Sequence, residues 1–148
     1  MDQGREFNLK SAVEGFVCDV RTEIPDKNSE YKIWLFARKD LELTVGKFGP
    51  QAAHAAGTCM VLTDRVNREV TDAYLSQGQP KITVGVDDEA ALVKSVNLCK
   101  SAGLVAVLVQ DAGRTELEGK TLTVGAVGPC LRSDLPRAVR DLRLLRSE

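Results

Sequence analysis

LVAVLVQ, residues 104 to 110, constrains the fold of this chain more than any other stretch. A run this short does not span a membrane, and one without polar alternation has no face to give to water. It reads as a central β-strand covered on both sides. KIWLFARKD (32–40) has the same character and ends in charges, KITVGV (81–86) follows Pro80, and KTLTVGAVGP (120–129) supplies a fourth strand. Helical segments separate the first three. Residues from about Lys47 to Asn67 read as one helix. DDEAALVKSVNLCKSAG (87–103) is a second, with acids at its start, Leu92, Val96 and Cys99 on one face, and Gly103 as its stop. SDLPRAVRDLRLL (133–145) reads as a last helix, capped by Ser133 or Asp134, with Pro136 in its first turn. The alternation predicts a three-layer α/β/α domain on a mainly parallel four-stranded sheet. The connection from 110 to 120 has no helical pattern, so the last two strands are either hairpin neighbours or joined by an irregular loop.

The chain's 148 residues suit one compact domain. Residues 1–30 differ from the rest: seven acids against four bases give −3, so of the total of −1 residues 31–148 carry +2. Leu9, Val13, Phe16, Val17 and Val20 fall at helical spacing behind Asn8, and RTEIPDKNSE follows as a linker. The reading is an arm over 1–30, either an amphipathic helix docking on the domain or a protein partner, or a frayed tail, ahead of a domain over 31–148. A net charge of −1 excludes a uniformly basic nucleic-acid coat but leaves room for a local basic groove. Arg137, Arg140, Arg143 and Arg146 recur every three residues on the last predicted helix, as a band for RNA backbone or a solvated face. Cys18, Cys59, Cys99 and Cys130 lack paired spacing and make a poor zinc site with the single histidine. They suit small apolar positions in a reducing compartment. The acid-bearing start resembles neither a secretory signal nor a transit peptide, so the expected location is the cytoplasm, with no membrane contact.

Chemistry in an open α/β sheet collects at the carboxyl ends of parallel strands. GKFGPQAAHAAGT (46–58) falls there, and Lys47, Gln51, His54 and Thr58 recur on it at spacings of four, three and four, forming one stripe. Pro50 requires the helix to begin near Gly46 or Lys47, which sets Lys47 at the positive end of the helix dipole, where anions bind. His54, among alanines, reads as a hydrogen-bonded core histidine that steadies the Asp111 loop, with direct proton transfer as the alternative. QDAGRTELEG (110–119) follows the most buried strand and brings Asp111 to the sheet edge, with Gly113 allowing a tight turn, Arg114 a cation and Thr115 a hydroxyl. From spacing alone, Asp111 and Thr115 read as turn caps. TVGAVGP (123–129) lacks the spacing and the lysine of a phosphate loop.

GKFGPQAAHAA, GQPK (78–81), QDAGRT (110–115) and TVGAVGP, in this order, resemble the type 2 peptidyl-tRNA hydrolases over about residues 32–145. The resemblance implies that the four-stranded sheet is mixed, that the protein forms a homodimer, and that it uses neither metal nor cofactor. It implies hydrolysis of the ester in peptidyl-tRNA, with the phosphate backbone and 3′ end of the tRNA bound and free tRNA and peptide released. By position it makes Lys47, Asp111 and Thr115 the catalytic group and Gln51, His54, Arg114 and Thr123 supporting residues. Val45 stands where the family often has a further lysine, and Gly49 and Pro50 replace small helix-forming residues. A contrasting reading is an adaptor that has kept the domain for protein or RNA binding without turnover.

Overall fold

The computed structural model describes Val20, residues 26–111 and residues 121–146. Four strands, β1 (Tyr31–Arg38), β2 (Lys81–Val86), β3 (Ala106–Asp111) and β4 (Thr121–Leu131), form one sheet in the order β2-β1-β4-β3. The helices are α1 (Val45–Val66), α2 (Arg68–Ser76), α3 (Glu89–Ser101) and the single turn α4 (Arg137–Arg140). Of the N-terminal amphipathic helix expected from the sequence, all but Val20 lies outside the described residues, as do Arg114, Thr115 and Cys18.

The sheet is mixed rather than mainly parallel. Only β1 and β2 pair in parallel; β4 pairs antiparallel with both β1 and β3. The reason is topological. β3 and β4, with only nine residues between them in sequence, are antiparallel neighbours, a pairing that needs no long crossover, and β4 fills the centre beside β1. β1, β2 and β3 therefore still point the same way, and their carboxyl ends share one edge of the sheet.

Residue parity divides the core in two. Trp34 and Phe36 of β1 pack with Val84, Val86, Leu92, Val96 and Cys99, on the side of α3. Ile33 and Leu35 pack with Ala55, Ala56, Cys59 and Tyr74, on the side of α1 and α2. Fully burying one such aliphatic side chain contributes roughly 1.5–3 kcal/mol, so strand alternation and helix period must agree. Cys59, Cys99 and Cys130 sit inside as free thiols, and burial pushes Cys59 up to about 12 and Cys99 up to about 11. Gly125 has a packing role: a Cβ there would stand 2.8 Å from Val96 Cγ2 and 3.0 Å from the Val107 carbonyl oxygen. TVGAVGP is thus strand under a helix, not a ligand loop.

One helix is new and one expected helix fails. α2 is a helix that the sequence did not announce; Asn67 ends α1 and then caps α2, its side chain accepting from the Val70 N–H at 3.4 Å. The helix expected over 133–145 is instead a 3-10 turn at Arg132–Asp134 and the single turn α4. Beyond it the chain runs along the outer edge of β2: Gly85 N–H donates to the Arg143 carbonyl at 3.1 Å, and Leu145 N–H to the Thr83 carbonyl at 2.9 Å. An unpaired sheet edge competes for these backbone groups and outweighs helical propensity. Arg143 and Arg146 therefore leave any helical band with Arg137 and Arg140.

Candidate active site

Two helices begin just beyond the shared carboxyl edge of β1 and β2. α1 starts at Val45, with Thr44 as N-cap making no side-chain capping bond and no acid in the first turn. Lys47, its third residue, is exposed, and Val45 is 90% exposed. Lys47 N–H donates to the Thr44 carbonyl at 3.0 Å, while the first two residues of this 22-residue helix, Val45 and Gly46, are exposed with a lysine beside them, the arrangement that attracts anions. Pro50 lies in the second turn, deeper than its chemistry favours. The carbonyl it deprives of a partner and crowds belongs to Gly46, which has no side chain to add to the strain.

One turn after Lys47, Gln51 is half-buried and meets β4: Thr123 Oγ1 donates to Gln51 Oε1 at 3.0 Å. The Val109 carbonyl of β3 lies 3.4 Å from the same hydroxyl. This meeting depends on a β-bulge. Val109 pairs with Val124 but Gln110 pairs with Leu122, which leaves Thr123 as an extra residue on β4. Regular alternation from Val124 would send Thr123 to the α3 side and Leu122 to the α1 side. The reverse is found: Leu122 packs in the α3-side cluster, while Thr123, 3% exposed, reaches Gln51 on α1.

Asp111 ends β3 opposite Thr121 and is half-buried. Val105, Val107 and Val109 pack toward the α1 side, and the two-residue period puts Asp111 on that side as well. Lys47, Gln51, Thr123 and Asp111 thus share one edge and one face of the sheet. Gln51 lies about 6 Å along α1 from Lys47, and Thr121 about 7 Å along β4 from Thr123.

His54 departs from expectation. It is exposed and lines a shallow groove of about 340 Å³ on the outer side of α1, with Ala53, Gly57, Thr58, Val61 and Leu62. It is no core histidine. The helix period turns Ala55, Ala56 and Cys59 inward, and alanine tolerates either environment, so alanine neighbours did not reveal which way the imidazole faced. GQPK lies at the opposite, amino end of β2. There Gly78, at φ 88°, ends α2, and the Pro80 carbonyl accepts from Ile33 N–H at 3.1 Å.

Arg38 was not singled out by the sequence reading. Its side chain is 9% exposed; Nε and Nη2 grip both oxygens of Asp40 at 3.0 and 2.8 Å. Nη1 donates to the Leu122 carbonyl at 2.8 Å and to Glu89 Oε2 at 3.4 Å. The hydrogen bond to Arg38 holds the Asp40 carboxyl below the ordinary carboxylate range. The one sequence signal was an arginine closing an apolar strand, where a charge must find partners to be buried.

The family model described as peptidyl-tRNA hydrolase PTH2 matches residues 31–145. A Thermoplasma acidophilum protein named peptidyl-tRNA hydrolase is 35% identical over 114 residues, covering 77% of this chain and 97% of the relative. One from Methanocaldococcus jannaschii with the same name is 34% identical over 114 residues, covering 77% and 99%. A Bos taurus protein named peptidyl-tRNA hydrolase 2, mitochondrial, is 38% identical over 122 residues, covering 81% and 68%. With nearly all of β1 through the C-terminal segment matched, and an open helix N-terminus, a lysine and a carboxylate gathered at one sheet edge, the chain belongs to the peptidyl-tRNA hydrolase PTH2 family.

Proposed function

We propose that this protein hydrolyses the ester linking a peptide to tRNA, releasing both. The observation that carries the reading is the uncapped start of α1, with Lys47 in its first turn, on the same face and edge of the sheet as Asp111. Ester hydrolysis needs a base for water and a positive environment for the oxyanion formed at the carbonyl. Asp111 accepts the proton from the attacking water. Lys47 and the positive N-terminal end of α1 stabilise the oxyanion or grip the phosphate of the terminal nucleotide. Gln51 holds Thr123, and Thr123 with Thr115 orients the water or the carboxylate. Arg114 and Thr115 enter on sequence position, since both lie outside the described residues.

The same reading takes the sheet as the middle of three layers, which the two-sided core supports. It keeps residues 1–30 as an arm able to recruit a protein partner, and a homodimer as the working form. It places the enzyme in the cytoplasm, although the bovine relative carries a mitochondrial designation. Among the described residues no helix is long and apolar enough to cross a membrane.

Asp111→Asn tests the assignment. Loss of a positioned base costs roughly 10²–10⁴ in rate, so release of tRNA from peptidyl-tRNA, followed with a chelator present, should fall at least a hundredfold while the thermal midpoint stays near wild type. An almost unchanged rate removes Asp111 as the base. Tight tRNA binding without release in the unsubstituted protein favours the adaptor.

A further inference from the structure

Arg38 sits on the α3 side of the sheet, sharing the parity of Trp34 and Phe36, and so faces away from the α1 side where Lys47 and Asp111 gather. Even so, it reaches the backbone that controls Thr123. The β1–β4 ladder ends at the Ala37–Val124 pair, so beyond it no β1 backbone group pairs with the Leu122 carbonyl, and the Arg38 guanidinium takes it. A guanidinium is a rigid plane of donors; with one edge clamped on Asp40, Nη1 has a set direction. That direction meets Leu122, the residue immediately before the extra residue of the bulge.

We propose that Arg38 is a positioning residue for the hydrolytic reaction, holding the β4 bulge through the Leu122 carbonyl so that the Thr123 hydroxyl stays on the α1 side of the sheet. A bulge is one residue away from a regular register, and regularising β4 would move Thr123 to the opposite side. The observed pairing has Leu122 opposite Gln110 with its carbonyl 2.8 Å from Nη1. A slipped register would offer Arg38 a different backbone group. Asp40 orients the guanidinium and Glu89 supports it from the start of α3. None of the three touches the ester. The inference rests on the proposed reaction, and its test separates the two.

Arg38→Lys keeps the charge but not the fork, and Arg38→Gly leaves room for a free guanidinium ion. In the full-length protein kcat on peptidyl-tRNA should fall about ten- to a hundredfold, the scale of a misplacement near 1 Å, with KM nearly unchanged. Millimolar guanidinium should restore kcat in Arg38→Gly, and methylammonium at the same concentration should not. The backbone amide resonances of Thr121 to Val124 and the Gln51 side-chain amide should move in the variants and return with guanidinium. If Arg38→Gly does not fold, Arg38→Lys and Asp40→Asn carry the kcat, KM and resonance readouts. Unmoved Thr123 and Gln51 resonances, or a raised KM with kcat intact, would overturn the proposal. Should the unsubstituted protein release no tRNA, the reaction reading fails, while the resonances still decide whether Arg38 holds the bulge.

Discussion

α1 and α3 begin at the same edge of the same sheet, each after a parallel strand, and their first turns are chemical opposites. At α3, Asp88 caps the Ala91 N–H at 2.8 Å, Glu89 follows in the first turn, and Arg38 pairs with Glu89. That helix end is satisfied by its own chain. At α1, Thr44 makes no side-chain cap, no acid follows, and Lys47 adds a positive charge to the helix dipole. One backbone geometry thus gives one closed end and one open to an anion. The fold supplies two like backbone ends, and a few side chains decide which of them is capped by its own chain and which is left open.

Giving α1 the charge that α3 carries should have the largest effect. Lys47→Glu should lower kcat/KM on peptidyl-tRNA by roughly 10²–10³, the cost of losing an oxyanion donor. Steady-state kinetics that fall by less than about tenfold would mean that the two helix ends do not differ in function. Opening the α3 end should do much less. Asp88→Ala removes a cap, costing about 1 kcal/mol, which a urea titration would show as a lower midpoint, with turnover unchanged. A loss of turnover matching that of Lys47→Glu would break the distinction from the other side.

Acid should expose the smallest difference. The Asp40 carboxyl, hydrogen-bonded to Arg38, is held below the ordinary carboxylate range in the folded protein. A depressed folded value means that its pairing stabilises the fold above the unfolded carboxylate value and loses that contribution as pH falls through the folded one. Urea midpoints of wild type and Asp40→Asn should therefore converge as pH drops below the carboxylate range. Because Asp40 is exposed, solvent screening keeps the effect small. Curves that stay parallel throughout would show that this pair adds nothing pH-dependent.

Local chemistry was legible wherever a single element carried it. Asp88 and Glu89 announced the start of α3, Gly103 its end, and the Lys47–Gln51–His54–Thr58 spacing falls on one continuous helix, α1, although Gln51 turns to β4 and His54 to the outer groove. What failed lay between elements. Arg143 and Leu145 look helical in sequence, but two hydrogen bonds to the edge of β2 draw them out straight. His54 looked enclosed because alanine fits inside and outside alike. Thr123 was named from the family motifs, but the face it takes was hidden, because a bulge exists only in the register between two strands.

The amino-acid order by itself determined the four apolar strands, the start of α1 and the family motifs, since these depend on neighbours within a few positions. The tertiary structure alone decided that β4 runs antiparallel through the middle of the sheet, that Thr123 turns toward Gln51, and that Arg38 is buried at the joint. Each of those outcomes rests on pairing between residues 10 to 100 apart in sequence, where register and competition for backbone hydrogen bonds leave no local mark.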